Sequence, residues 1–318
     1  MPRRIHVYTG RESNELANKI ARTLNIERGK ANIKEFADFE PFFRIKDIEQ
    51  VGEDDIVVVV NATACPALKS YFDLWGILAP LKKRNPKRLI AVMPFMGFRR
   101  QERDSSGGEA IMTELMAKFI AAAGATDVIL CDIHHLHILE DFEAAGVKPY
   151  HIDPDPLFVD ILRGRHLTNW KVVRPDKGSD ARATKLATAL NLPMVKVEKY
   201  HPDHEVTQVK CVDGDFKGCH LLFRDDEIAT AGTLMATADD AEAHGALDMT
   251  IMCTHGVLSA NAVHKIDDRA FIQSVYITDS IYQPWEKRIP NKIKVLSLQA
   301  MIANTILNIS EEPDEETK

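Results

Sequence analysis

The sequence lacks any long hydrophobic run: no stretch approaches the roughly 20 apolar residues that a membrane-spanning helix needs. The chain opens with Met-Pro-Arg-Arg-Ile-His-Val-Tyr, which has no apolar secretion signal, so we expect a cytoplasmic protein. A basic excess is also absent, since 47 Asp and Glu outweigh 40 Lys and Arg to give a net charge of −7. Nucleic-acid-binding proteins usually carry such an excess, so we expect neither a nucleic acid nor a membrane as partner.

Cysteine is scarce, and its distribution argues against a structural zinc site or a disulfide framework. The five cysteines are Cys65, Cys131, Cys211, Cys219 and Cys253. No two of them have the spacing of a zinc site, so we expect reduced and mostly buried thiols. With 318 residues, of which 45% are hydrophobic, the chain is long enough for about two domains with ordinary cores.

Short apolar runs alternate with helical patterns along almost the whole chain. The predicted strands are Ile5–Tyr8, Ile56–Val60, Leu89–Met93, Val128–Ile133, Val172–Val173, Met194–Val197, Leu221–Phe223, Met249–Cys253, Val275–Ile277 and Ile293–Leu296. Helices are predicted from about Ser13, over about Ile111–Ala123 with an end at Gly124, and over Asp180–Leu190 and Gly232–His244. This alternation predicts an α/β fold with mainly parallel sheets flanked by helices.

The alternation breaks near residue 150, where the run Tyr150-His-Ile-Asp-Pro-Asp-Pro156 carries two prolines. We therefore expect two domains, 1–150 and 151–309, which share a similar order of elements. Residues 310–318 are acidic and are predicted to form a disordered tail.

The most informative segment is His220-Leu-Leu-Phe-Arg-Asp-Asp-Glu-Ile-Ala-Thr-Ala-Gly-Thr233. Its apolar strand ends in the carboxylates Asp225 and Asp226, and a turn of small residues then opens a helix. Such a turn offers backbone N–H groups and hydroxyls to a phosphate, and ligands of open α/β sheets bind beyond the carboxyl ends of strands. Two carboxylates can accept hydrogen bonds from vicinal hydroxyls, so the segment predicts a ribose-phosphate site. The alternative is an ordinary strand-to-helix turn with a threonine cap.

This segment resembles the 5-phosphoribosyl-1-pyrophosphate loop of type I phosphoribosyltransferases and of ribose-phosphate pyrophosphokinases. The resemblance implies two similar domains of the type I phosphoribosyltransferase kind, with ATP on the side of the first and ribose 5-phosphate on the side of the second. The residues that it assigns to ribose 5-phosphate are Asp225, Asp226, Thr230, Ala231, Gly232 and Thr233.

A segment near the start favours the pyrophosphokinases over the transferases. Phe36-Ala-Asp38-Phe-Glu40 is similar to the segment with which these enzymes reach a neighbouring subunit and help to hold adenine. An aromatic ring can stack on adenine, and carboxylates can accept from its amino group. The resemblance therefore implies ATP contacts from Phe36, Asp38 and Glu40 and a homo-oligomer, a dimer or a hexamer; without it, the segment would be interpreted as a solvated loop.

The run Met93-Pro-Phe-Met-Gly-Phe-Arg-Arg-Gln-Glu-Arg103 looks like a second family segment. By position, Arg100 and Gln101 match residues that contact ATP, and the planar fork of an arginine suits phosphate oxygens. Glu102 stands where the family usually has aspartate.

Two further segments carry the magnesium ligands that the resemblance implies. His134, in Cys131-Asp-Ile-His-His-Leu-His137, matches the histidine that ligates or adjoins the magnesium of ATP. Asp176, in Val173-Arg-Pro-Asp-Lys-Gly178, matches the aspartate of a second magnesium. The histidine cluster could also indicate a transition-metal site, but one histidine beside phosphates and waters is compatible with magnesium, so His135 and His137 are expected to be packing or surface residues.

The strand that ends near Val197 is followed in the family by a mobile loop with a lysine and, two residues on, an arginine. Lys199 matches the lysine, and His201 stands where the arginine would be. Together with His134 these are the expected catalytic residues, because cations neutralise charge that develops on the transferred diphosphate. His201 can do so only when protonated, and its ordinary pKa is about 6.5.

Two other departures concern regulation and sugar binding. Ala229 replaces a third loop aspartate of the bacterial-type enzymes, which archaeal-type members also lack. Asp104-Ser-Ser-Gly-Gly108 replaces a basic regulatory loop, so we expect a phosphate-independent or differently regulated protein.

The resemblance implies a magnesium-dependent ribose-phosphate diphosphokinase, which forms 5-phosphoribosyl 1-pyrophosphate and AMP from ATP and ribose 5-phosphate. The alternatives are a regulatory paralogue with little or no activity, a pyrophosphokinase for a related sugar phosphate, and a phosphoribosyltransferase that consumes the product.

Overall fold

A computed structural model describes residues 4–64, 66–174, 180–203, 206–213, 215–283 and 291–313. The chain divides into two compact units. The first comprises Met1–Ile152, Ser280–Tyr282 and Ser297–Lys318, and the second comprises Asp153–Asp279 and Gln283–Leu296. Each unit is an α/β layer structure with a mainly parallel sheet flanked by helices, as the sequence pattern predicts.

The first unit is built on a five-stranded sheet. Its elements in chain order are β1 (Ile5–Thr9), α1 (Asn14–Thr23), β2 (Ala31–Glu35), β3 (Pro41–Ile45), β4 (Ile56–Val60), α2 (Ala67–Lys82), β5 (Arg88–Met93), α3 (Met112–Ala123), β6 (Asp127–Cys131), α4 (Ile138–Ala144) and β7 (Lys148–Ile152). The sheet has the order β1-β4-β5-β6-β7, and all its strand pairs are parallel. β2 and β3 form a separate antiparallel hairpin.

Burial on both faces explains why the central strands of this sheet are uninterrupted apolar runs. All five residues of β4, Ile-Val-Val-Val-Val, are buried, as are all five of β6. Helices cover the sheet with their apolar sides, and α3 ends where Gly124 adopts a left-handed conformation with φ of 106°. This confirms the helix end that the sequence predicts at Gly124.

The second unit is built on a seven-stranded sheet. Its elements are α5 (Asp155–Leu162), β8 (Trp170–Arg174), α6 (Asp180–Leu190), β9 (Met194–Asp203), β10 (Val206–Asp213), β11 (His220–Ile228), α7 (Gly232–Ala243), β12 (Asp248–Gly256), α8 (Ala262–Asp268), β13 (Ile272–Thr278) and β14 (Ile293–Leu296). The strand order is β10-β9-β8-β11-β12-β13-β14, in which only the β9–β10 pair is antiparallel.

The last helix, α9 (Gln299–Glu311), follows β14 but belongs to the first unit, where it packs on α1. The sequence pattern predicts a second domain up to residue 309 and a disordered tail from residue 310. Ser310 and Glu311 instead complete α9, and Glu312 accepts hydrogen bonds from Lys148 and Tyr150. None of the helices in the part of the chain that the structure describes has the length and apolar character needed to cross a bilayer.

Candidate functional site

A polar cleft of about 530 Å³ lies in the first unit, where the chain leaves β5 and β6. The residues that line it are Arg100, Gln101, Glu102, Arg103, Ser105, Glu109, Ala110, His134 and His135. Arg100, Gln101 and His134, which the sequence predicts to meet ATP, therefore border one cavity. Its place beyond the carboxyl ends of parallel strands is the usual ligand position in such sheets.

Hydrogen bonds with buried side chains fix the turn that carries Arg100 and Gln101. The Thr63 hydroxyl accepts the N–H of Gly97 at 2.8 Å, and the Tyr71 hydroxyl donates to the Gly97 carbonyl at 3.0 Å. An added Cβ at Gly97 would lie 2.5 Å from the Thr63 carbonyl oxygen, so only glycine fits there. The Gln101 carbonyl then accepts the N–H of Met112, at the start of α3.

Arg99 and Arg100 are adjacent but have opposite surroundings. Arg99 is 2% exposed; its Nη1 donates to the Asp132 carbonyl at 3.1 Å, and its guanidinium lies 5.0 Å from the Phe95 ring centroid. It thereby joins the loop after β5 to the loop after β6. Arg100 is exposed at the cleft, where its planar fork can meet phosphate oxygens.

Glu102 is a buried residue in the wall of the cleft and contacts two of the three neighbouring histidines. Its Oε1 is 3.2 Å from Nε2 of His135, and its Oε2 is 3.8 Å from Nε2 of His137. Burial lowers the pKa of His135 more than Glu102 raises it, which favours the neutral ring at pH 7. The rings of His134 and His135 pack edge to face at a centroid distance of 4.6 Å, so His135 supports the predicted ligand His134.

The donor set suits magnesium that arrives on a nucleotide better than a bare ion. Among the described residues, no three His, Cys, Asp or Glu side chains are grouped closely enough to hold a metal by themselves. Magnesium bound to phosphates needs only one or two protein ligands, because phosphate and water oxygens complete its shell. His134, beside a cleft that Arg100 and Arg103 also line, fits that arrangement. Asp176 lies outside the described residues.

The predicted adenine segment forms the turn of the β2–β3 hairpin and lies apart from the cleft residues. The N–H of Phe36 donates to the Glu40 carbonyl at 2.9 Å, and the Asp38 carboxylate accepts the N–H of Glu40. Phe36 is 56% exposed and Phe39 is 81% exposed. None of Phe36, Asp38 and Glu40 lines the cleft of its own chain.

Ion pairs hold the end of this hairpin next to the turn, where Glu35 closes β2. Arg11 makes a two-pronged contact with buried Asp73 at 2.7 and 2.8 Å, and its Nη1 donates to Glu35 at 2.8 Å. Lys69 contacts the same Glu35 oxygen at 2.7 Å. Hydrogen bonds from Lys69 and Arg11 keep the pKa of Glu35 below its ordinary value.

In the second unit the acid pair lies within β11 and the small-residue turn opens α7. Asp226 is buried and Asp225 is partly buried, with the Asp225 Oδ1 accepting the N–H of Asp226 at 2.9 Å. Ala231 precedes α7 with φ of 61°, and no side chain caps this helix start. Uncapped N–H groups at a helix start attract anions.

Gly232 supports the same interpretation of the turn. An added Cβ there would contact only the Thr230 hydroxyl, at an ordinary 3.7 Å. Packing within the chain therefore does not require glycine, whereas close approach of a ligand to the backbone would. Thr230 is exposed and Thr233 partly so, which leaves both hydroxyls accessible.

The two predicted catalytic residues of the second unit are located by backbone only. Lys199 and His201 lie in β9, whose antiparallel partner β10 pairs Val209 with Lys199. The family pattern predicts a loop here, and the chain continues as a strand instead. The positions of both side chains lie outside what the structure describes.

Two features of the sites carry no clear signal in the sequence. Arg224 is fully buried next to the acid pair and contacts Asp155, although a charged residue at the end of an apolar run usually marks the surface. Glu102 is buried among histidines, although its neighbours Gln101 and Arg103 are exposed. A charge directly before a predicted acid pair is the one signal that could have drawn attention to Arg224.

Comparison with known proteins covers almost the whole chain. Residues 5–124 match the family model described as the N-terminal domain of ribose phosphate pyrophosphokinase, and residues 169–315 match the phosphoribosyl synthetase-associated domain. The ribose-phosphate pyrophosphokinase of Caldanaerobacter subterraneus subsp. tengcongensis is 32% identical over 96% of this chain and 95% of its own length. That of Bacillus caldolyticus is 33% identical over 93% of this chain and 92% of its own. The crystal structure of phosphoribosylpyrophosphate synthetase from Mycobacterium smegmatis superposes with a TM-score of 0.87 at 27% identity, covering 97% of this chain and 99% of that one.

Proposed function

Because this chain belongs to the ribose-phosphate pyrophosphokinase family, we propose that it transfers the β,γ-diphosphate of ATP to the C1 hydroxyl of D-ribose 5-phosphate, in the cytoplasm. The products are 5-phosphoribosyl 1-pyrophosphate and AMP. The observation that carries the proposal is the acid pair Asp225–Asp226 followed by the uncapped turn at the start of α7, in a chain similar to these enzymes over nearly its full length.

On the nucleotide side, Arg100 and Gln101 bind the phosphates of ATP in the cleft of the first unit. Arginine offers two parallel donors to phosphate oxygens, which fixes their direction as well as their charge. His134 and Asp176 hold magnesium, which neutralises and orients the triphosphate when it is bound. The support for His134 is its position on the same cleft as Arg100.

The adenine site is shared between subunits in this proposal. An exposed hairpin turn carries Phe36, Asp38 and Glu40, and none of the three lines the cleft of its own chain. Their contact with adenine would therefore come from a second copy, in a dimer or hexamer. Arg11, which also contacts Asp73, and Lys69 both bind Glu35 and so attach the turn end of the hairpin to the rest of the unit.

On the sugar side, the backbone N–H groups and hydroxyls of Thr230, Ala231, Gly232 and Thr233 bind the 5-phosphate. Asp225 and Asp226 accept hydrogen bonds from the ribose hydroxyls and so direct C1 toward the nucleotide. Charge-assisted hydrogen bonds of this kind contribute about 1.5–3 kcal/mol each.

In the transfer step, the C1 hydroxyl oxygen attacks the β-phosphorus in line. The new O–P bond forms as the bond from the β-phosphorus to the α,β-bridging oxygen breaks, and the hydroxyl proton is released. Catalysis then consists of positioning and charge neutralisation. Lys199, with protonated His201, neutralises the charge that develops on the transferred diphosphate.

A phosphorus NMR time course with ATP, magnesium and ribose 5-phosphate tests the proposal. The protein should form a sugar-linked diphosphate and an equal amount of AMP. Lys199→Ala should lose nearly all of this activity, whereas the matched control Lys196→Ala, in the same strand, should keep it. Intact ATP with a folded protein that still binds ribose 5-phosphate would indicate a regulatory paralogue. Consumption of ATP only with another acceptor would indicate a pyrophosphokinase for a different sugar.

A further inference from the structure

The second unit buries one arginine completely, immediately before the acid pair. Arg224 in β11 is 0% exposed and is the largest fully buried side chain among the described residues. Its Nε donates to Oδ1 of Asp155 at 2.8 Å, and its Nη2 lies 3.2 Å from the Thr254 hydroxyl. The guanidinium also lies 4.8 Å from the centroid of the Phe158 ring.

Stability alone does not account for this pair. Removing an arginine and an aspartate from water costs free energy. A protein with well-packed apolar residues at the same positions is often equally stable or more stable. The preceding residues of β11, Leu221 to Phe223, are apolar and buried, so an apolar residue at position 224 would continue the strand. The charged pair therefore calls for another explanation.

The contacts of Arg224 lead directly to the acid pair. Its Nη1 donates to the main-chain carbonyl of Asp225, and the Asp225 carboxylate in turn accepts the N–H of Asp226. The carbonyl of residue 225 belongs to the peptide that joins the two acids. Holding that carbonyl fixes the rotation of this peptide and therefore the directions in which both carboxylates point.

Charge supports the same conclusion. Asp155 contacts Arg224 directly, Asp225 and Asp226 follow Arg224 in β11, and the side chains of Asp155 and Asp226 are both buried. Arg224 places one cation among them. The thiol of Cys253, which stands opposite Asp225 in the next strand, is fully buried, and burial raises its pKa well above the ordinary value, so it stays uncharged. The positive charge of Arg224 offsets part of the repulsion among these carboxylates.

We propose that Arg224 and Asp155 form a positioning pair, which holds Asp225 and Asp226 in the geometry that binds the ribose hydroxyls. The inference rests on the proposed function of the acid pair. Neither residue touches the sugar, so their contribution is to its affinity and leaves ATP binding in the first unit unaffected.

A volume-conserving double variant tests the pair, because Arg224→Met alone would leave Asp155 buried and unpaired and could prevent folding. In Arg224→Met with Asp155→Leu, the thermal unfolding midpoint should be kept, and the Kd and KM for ribose 5-phosphate should rise about tenfold or more. The KM for ATP should change by less than about twofold. Arg224→Lys keeps the positive charge but loses the planar guanidinium. Its Kd for ribose 5-phosphate should therefore lie between those of the native protein and the double variant.

Two further variants identify what fails if the result differs. Asp248→Asn removes the partner of His220, 2.9 Å away at the opposite end of β11, and should leave ribose 5-phosphate affinity unchanged. Asp225→Asn should weaken it directly. If the folded double variant binds ribose 5-phosphate normally while Asp225→Asn does not, the pair is structural and the inference is wrong. If Asp225→Asn also binds normally, both the inference and the sugar-site assignment are overturned.

Discussion

Arg99 and Arg100 are adjacent and of the same type, but they have different roles because only Arg99 is buried. Arg99 donates to the Asp132 carbonyl and covers the Phe95 ring, so it joins two loops in the interior. Arg100 lies exposed on the cleft. The resemblance to the family predicts Arg100 as the ATP contact by its position in the segment that contains Gly97. Nothing in a run of two arginines says that its neighbour is buried, because that depends on where the loop after β6 passes.

The contrast predicts opposite effects for the same substitution. Arg99→Met should lower the free energy of unfolding by about 2 kcal/mol, because it removes a buried hydrogen bond from a charged donor to the Asp132 carbonyl. Arg100→Met should leave stability nearly unchanged and raise the KM for ATP by about 10- to 100-fold, the loss expected for a charged hydrogen bond to phosphate. Chemical unfolding and steady-state kinetics on both variants check this. An Arg100→Met protein with native ATP kinetics would contradict the assignment.

At the scale of elements, the loop from Asp104 to Glu109 uses its own carboxylates to satisfy its backbone. Asp104 accepts the N–H groups of Gly107 and Gly108, both at 2.6 Å, and those hydrogen bonds keep its pKa below the ordinary value. Glu109 accepts the N–H of Ser105 and the hydroxyl of Ser106. Both glycines have positive φ, which lets their N–H groups converge on one carboxylate. The N–H groups of Ser105, Gly107 and Gly108 and the Ser106 hydroxyl are therefore already engaged by carboxylates of the loop itself.

The loop therefore predicts that inorganic phosphate is not an activator. Initial rates in a phosphate-free buffer should match those with added phosphate, and sulfate at equal ionic strength should serve as the control. The depressed pKa of Asp104 keeps this carboxylate ionised throughout the neutral range, so the result should not change between pH 6 and pH 8. Strong activation by phosphate but not by sulfate would show that a phosphate site exists in spite of this arrangement.

Elements were predictable where local pattern and burial agree. The buried runs of β4 and β5 predict their strands almost to the residue, since a parallel sheet covered on both faces requires uninterrupted apolar sequence. β7 was missed because Pro149 and the neighbouring polar residues suggest a break. It is an edge strand, where a proline can be accommodated because one side needs no donor. The predicted strand Met194–Val197 is the first part of β9, whereas the rest of β9 and the whole of β10 were not predicted, because their sequence is rich in charged and polar residues.

At the scale of the whole molecule, the return of α9 to the first unit could not be predicted from local sequence. The acidic run after Ile309 has the composition of a disordered tail. Its Glu312 is nevertheless held by Arg88, Lys148 and Tyr150, which lie more than 150 positions earlier. These residues belong to β5 and β7, two separate strands of the sheet, so only the completed sheet brings them together. The fold class was therefore predictable from the sequence, whereas the return of α9 to the first unit was not.

Glu312 should therefore stabilise the end of α9 in a pH-dependent way. Burial alone would raise its pKa, but hydrogen bonds from Lys148 and Tyr150 outweigh that effect and hold the pKa below the ordinary 4.5. A carboxylate whose pKa is depressed in the folded state stabilises it above the unfolded value of 4.5, and this contribution disappears as the pH falls through the folded pKa.

Glu312→Gln should consequently raise the hydrogen-exchange rate of the last α9 amides at pH 7, by the equivalent of about 1 kcal/mol, because the ion pairs are partly exposed. The difference from the native protein should shrink as the pH falls below 4.5, where the native Glu312 becomes neutral as well. Glu311→Gln makes the same chemical change one residue earlier, at an exposed position, and should leave exchange unchanged at either pH. Equal protection in Glu312→Gln and Glu311→Gln at pH 7 would mean that apolar packing against α1 holds α9 without help from Glu312.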